Sequence, residues 1–118
     1  MKKLLILLMT IGITIQLTAC GDKKVIYKQG VYEGVGEGHI DKIKVEVTTD
    51  EYEIKEIKII EEEEIPLLSK IVYEDIPKKV IKANSTKVDT VTGATYTSKG
   101  LIDAIEDALN KAMIEVED

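Results

Sequence analysis

Residues 88–100, VDTVTGATYTSKG, gather hydroxyl side chains directly in front of a run with helical periodicity. Thr97 or Ser98 is placed to cap that helix, and the first-turn amides together with the helix dipole favour an anion there, a phosphate above all. Thr95 lies just upstream of the cap. Gly93 and Ala94 before it have minimal side chains, so its hydroxyl is sterically accessible, and Lys99 adds a positive charge in the first turn. A threonine hydroxyl is a weak nucleophile without an adjacent base, and the one histidine of the chain is far away in sequence, at position 39. Position 101 is Leu where a capping box on Ser98 would want Glu or Gln. Taken alone, the segment also fits an ordinary capped helix.

The elements that must position this loop follow from hydrophobic periodicity. Residues 31–38 alternate, with Tyr32, Gly34, Gly36 and Gly38 on one face, and a glycine face of a strand admits close approach of another body, a helix or a ligand ring. Residues 41–49 form a cleaner strand, with Ile43, Val45 and Val47 on one side. Residues 52–60 give a third strand whose apolar parity shifts between Ile54 and Ile57, which predicts a bulge. The links at 38–41 and 50–51 read as hairpin turns, with His39 a turn residue.

The acidic run at 61–64 is expected to be a solvated loop. After Pro66 the period becomes helical, with Leu67, Leu68, Ile71 and Val72 on one face. Pro77 is expected to interrupt that helix and Asp75 to cap a second, short one. The last helix is the clearest element. Leu101, Ile102, Ile105, Ala108, Leu109, Ala112 and Met113 make its inner stripe, and Asp103, Glu106, Asp107 and Lys111 a solvated face. Strands followed by helices predict an α+β fold, a small antiparallel meander sheet packed by helices with a long C-terminal helix.

Composition narrows the chemistry. The chain has 118 residues, enough for one small domain, and a net charge of −6 that disfavours nucleic acid as a partner. One Cys and one His leave no material for an internal disulfide, an iron–sulfur cluster or a His-clustered metal site, so no metal is expected. At the N-terminus, Lys2 and Lys3 precede an apolar stretch at 4–17 of signal-peptide length, ending in Leu-Thr-Ala-Cys-Gly at 17–21. This string is similar to a bacterial lipobox, with Cys20 acylated as the first residue of the mature chain. The expected organisation is a cleaved signal at 1–19, a lipidated Cys and short tether at 20–28, and the domain at 29–118. Two acyl chains suffice for stable anchoring, which places the domain on the outer face of the bacterial cytoplasmic membrane.

Asp89-x-x-Thr92-Gly93-Ala94-Thr95, followed by Tyr96-Thr97-Ser98 and the helix, resembles the flavinylation motif of the FMN-binding domain family. That family includes the flavin-carrying subunits of sodium-pumping quinone reductases and related ferredoxin-oxidising complexes. The resemblance takes in YKQGVYEGVGEGH, IKVEVT, IPKKVIKANSTKVD and VTGATYTSKGLIDAIEDAL, nearly all of the mature chain. It implies FMN as cofactor, held by a phosphoester on Thr95, with Asp89, Thr92, Gly93 and Ala94 filling the rest of the motif. It also implies maturation by a separate flavin transferase, which agrees with the lack of a base beside Thr95.

With no Trp and no Phe in the chain, Tyr96 and Tyr32 are the candidates to stack on the ring, and the face of Gly34, Gly36 and Gly38 a candidate for approach of its edge. One departure is the absence of Gly after Pro66. The expected function is a membrane-anchored extracytoplasmic flavoprotein that relays electrons between redox proteins, a carrier more than a stand-alone enzyme, because no acid–base pair is visible. The other readings are a lipoprotein module that binds FMN reversibly and a non-redox accessory or sensory domain.

Overall fold

A computed structural model describes residues 24–114. The signal segment and Cys20 lie outside the described residues. Three strands, β1 (Gly30–Glu37), β2 (Lys42–Thr49) and β3 (Ile54–Glu61), form an antiparallel sheet in the order β1-β2-β3, followed by helices α1 (Pro66–Ala83) and α2 (Thr95–Ala112). This is the expected α+β meander with a long C-terminal helix.

The core follows from the alternation in β2. Ile43, Val45 and Val47 are fully buried, while the residues between them remain half-exposed. The glycine face of β1 is taken by α2. A Cβ on Gly34 would fall on the carbonyl oxygen of Ala104, and one on Gly36 on that of Gly100. Helix and strand therefore meet backbone to backbone, and this face is closed to a ligand ring. The parity change in β3 has the expected cause, a register shift opposite Thr48 and Thr49.

Helix α1 departs from expectation. It runs unbroken through Pro77, and Asp75 is no cap but an ion-pair partner of Lys79 at 2.7 Å, one turn on. An interior proline costs a helix about 3 kcal/mol. Here Val72, Ile76, Pro77 and Val80 are buried together, and that burial outweighs the local penalty. Of the apolar face expected at 67–72 only Val72 is buried; Leu67 is 84% exposed and Ile71 57%.

The helix ends at Asn84 in the left-handed conformation, φ 51°. Its side chain accepts from the Ile54 amide and donates to the Tyr52 carbonyl, each at 2.9 Å, tying the helix end to the start of β3. Asn84→Gly keeps the backbone turn and loses both bonds, so a loss of about 1–2 kcal/mol is expected; Asn84→Ala adds the left-handed strain and should lose about 1 kcal/mol more. Thermal unfolding of the two variants checks the order.

In α2 the inner stripe is buried from Leu101 to Ala112, with Ile102 at its margin; Met113 falls just past the helix, 48% exposed. The outer face is only partly solvated. Asp107 accepts from the Val35 amide at 3.0 Å, and Lys111 Nζ donates to the Glu33 carbonyl at 2.6 Å. At the helix's far end the incoming chain is docked: Tyr27 is buried and pairs with Met113, and Lys28 donates to the Ala112 carbonyl.

Candidate functional site

The turn between β1 and β2, the link from β3 to α1 and the loop before α2 converge at the pole where α2 begins. Glu64 holds them together. It is 5% exposed; its carboxylate accepts from the amides of His39 at 2.5 Å and Ile40 at 2.7 Å, and from the Thr97 hydroxyl at 3.0 Å. The expectation of a solvated loop at 61–64 is corrected at this residue, since only Glu61, Glu62 and Glu63 are exposed. Nothing in the acidic run singled out its last member except its place directly before Ile65 and Pro66. Gly38 makes room for it, because a Cβ there would fall on Glu64 Oε1.

Burial by itself raises the Glu64 carboxyl, but the Ile40 and His39 amides, the Thr97 hydroxyl and the Asp41 amide together outweigh it and hold the group below its ordinary value of 4.5. A carboxyl whose folded-state value is depressed adds stability above its unfolded value, and that stability is lost as pH falls through the folded value. The wild type should therefore lose stability as pH drops below about 4.5. Glu64→Gln retains one acceptor oxygen and turns an amino group toward donors; it should cost about 1–3 kcal/mol at neutral pH and flatten the acid limb of the stability curve, read by denaturant melts across pH. Nearby, burial, then the hydrogen bond to Glu62 at 3.0 Å, then the charges of Glu62 and Glu64 push the Tyr73 hydroxyl well above its ordinary range.

Helix α2 starts earlier than its sequence suggests. Thr95 is its first residue and Ala94 its cap, with no side-chain cap bond. Thr97 and Ser98 are buried inside the first turn, where tertiary partners take their hydroxyls: Thr97 donates to Glu64, and Ser98 Oγ accepts from the Val91 amide at 3.0 Å. Thr95 is left exposed. Gly93, at φ +84°, turns the chain into the helix, and no atom lies within 4 Å of where its Cβ would be.

Beside Thr95 is a shallow recess of about 100 Å³ lined by His39, Leu68, Gly93, Ala94, Tyr96 and Thr97. The rings of His39 and Tyr96 stack across it, centroids 5.7 Å apart and planes 26° from parallel. His39 is thus more than a turn residue, and the expectation that no base lies near Thr95 is corrected, because its ring lines the same recess; Leu68 is more than a core candidate, and only the fold shows either.

The remaining expected residues lie elsewhere. Asp89 is exposed and faces an open hollow with Lys79, Lys82 and Lys87, and Thr92 is exposed outside the recess. Tyr32 lies toward the opposite pole, its hydroxyl donating to the Lys28 carbonyl at 3.0 Å, so it is not a stacking partner for anything at Thr95. Among the described residues no group of His, Cys, Asp and Glu is arranged to hold a metal ion.

An exposed hydroxyl at a helix start thus stands next to a stacked aromatic pair in a domain of α+β type. The FMN-binding domain family matches residues 38–110, and the chain belongs to that family. It is a flavin-binding domain. The chain is similar to an NADH:acrylate oxidoreductase of Vibrio harveyi, 27% identical over 86 residues, covering 73% of this chain and 9% of that protein. It is also similar to an uncharacterized protein of Treponema pallidum (strain Nichols), 31% identical over 84 residues, 71% of this chain and 23% of that protein. The chain thus spans less than a quarter of either relative.

Proposed function

We propose that this protein is a lipid-anchored extracytoplasmic carrier of FMN, attached through a phosphoester to Thr95 by a separate flavin transferase, that relays electrons between redox proteins. The observation that carries the covalent part is the exposed Thr95 hydroxyl beside so small a recess. Pockets that hold a cofactor by contact alone enclose roughly 300 Å³ or more, against about 100 Å³ here. A tethered ring needs only a surface to lie on, and His39, Tyr96 and Leu68 supply one. The residues present fit the group. The first-turn amides of α2 favour the remaining negative charge of a phosphodiester by about 0.3–1 kcal/mol, Gly93 leaves open space beside it, and the aromatic pair offers a stacking face.

Bound flavin supplies one- and two-electron redox chemistry; the protein orients and shields it. Acylated Cys20, at the end of a signal of residues 1–19, would hold the domain at the outer membrane face. The test is production of the full chain with a flavin transferase, followed by denaturation. Yellow fluorescence that stays with the polypeptide supports attachment. Flavin that washes out returns the protein to reversible binding, and absence of flavin leaves the accessory or sensory reading.

A further inference from the structure

Around the flavin pole the surface is apolar where soluble proteins are usually polar. Ile65 is 43% exposed, Leu67 84%, Ile71 57%, Ile40 54% and Tyr96 70%. Tyr96 lines the recess at Thr95, Ile40 adjoins His39, and Leu67 and Ile71 adjoin Leu68 along α1, so three separate elements contribute and the cluster is more than a single stray side chain. Its rim is acidic: Asp41, Glu61, Glu62 and Glu63 line one hollow with Lys42, Glu37 shares another with Ile40 and Asp41, and Glu74 lies one turn beyond Ile71, against Lys70 and Lys99.

We infer that this face is the docking surface for a redox protein whose own electron port is apolar and ringed by Lys or Arg. Three other occupants fit worse. A second copy would set acidic rim against acidic rim, and an anionic lipid surface would meet the same repulsion. The N-terminal segment joins the body at the opposite pole, where Tyr27 pairs with Met113 beyond the end of α2. That 18-residue helix spans about 27 Å, whereas residues 20–23 reach only about 14 Å. With an anchor at Cys20 the tether is therefore too short to fold back over the apolar face. That the partner exchanges electrons rests on the FMN reading above; that a cationic apolar surface docks here does not.

The two are separated by one set of measurements on the full chain. Isotope-labelled protein without flavin is titrated with ferric cytochrome c, a lysine-ringed haem protein, and followed by amide shifts. Shifts confined to residues 39–42, 61–71 and 95–99 are expected, with binding about tenfold weaker at 200 mM than at 20 mM salt. Leu67→Ser with Ile71→Ser, and separately Glu61→Lys with Glu63→Lys, should each weaken it about tenfold without altering the thermal melt. Binding at another face, no binding at low salt, or variants that bind as wild type would overturn the proposal. So would shifts in these residues caused by self-association or by phosphatidylglycerol vesicles. If docking holds and no mass gain marks Thr95 after co-expression with a transferase, the covalent reading fails and the docking surface stands.

Discussion

Thr95→Ala produced alongside a flavin transferase should carry no covalent flavin at all, while the wild type gains the mass of FMN less one water. The effect is all-or-none because one oxygen makes the bond. It should also be clean. The Thr95 side chain is exposed, makes no hydrogen bond among the described residues and begins a helix, so its removal is expected to change stability by no more than about 0.5 kcal/mol. Thr95→Ser keeps a hydroxyl at the same place and should keep a measurable mass gain. Thr97→Ala is the informative contrast: it leaves the acceptor untouched and removes the hydroxyl that binds Glu64, so flavin should remain while the melting temperature falls. Intact-mass spectrometry and a thermal melt on the same samples read both properties. Loss of flavin in the Thr97 variant at full occupancy of the fold would shift the assignment of the acceptor.

A large stability loss is expected from Gly36→Ala, as from Gly34→Ala. The added methyl would lie 2.0 Å from the Gly100 carbonyl oxygen and 2.6 Å from the Ala104 amide nitrogen. Overpacking a core costs about 1–3 kcal/mol when side chains can shift. These atoms are backbone in the middle of an 18-residue helix, so the helix as a whole must move, and the cost should exceed that range. Gly93→Ala tests the same added methyl without a clash: its φ of +84° carries about 1–2 kcal/mol of strain, and the space around it is open. Urea titrations should rank the two variants Gly36 worst, with the recess at Thr95 disturbed as well because α2 carries both.

Much of this was readable before any coordinates. Period-2 alternation located β2 because one side of it is buried along its whole length, and the parity slip in β3 pointed to a real register shift. The stripe of α2 was equally plain. What failed was local punctuation overruled by tertiary contact. Pro77 signals a break, but its burial with Ile76 and Val80 keeps α1 continuous. Thr97 and Ser98 look like caps, but a buried carboxylate and a loop amide compete for their hydroxyls. At the site, residues 93–97 were legible as one contiguous string. Glu64, His39 and Leu68 were not, since they come from stretches of chain far from that string and no spacing rule connects them to it. Tyr32 was misjudged for the converse reason: its type suited stacking, and only the direction of β1 shows that it stands at the other pole.

The two side chains by which α2 grips β1 bear on how the protein behaves in a crowd. A three-strand sheet has two open borders, and an open border is a template on which further chains can grow into fibrils. Asp107 and Lys111 occupy the free amide and carbonyl of Val35 and Glu33, closing one of them with groups that are themselves charged. The other border, along β3, is studded with Lys55, Glu56 and Lys58. Molecules tethered side by side on a surface would meet at high local concentration, and this sheet offers its neighbours no clean strand on which to polymerise.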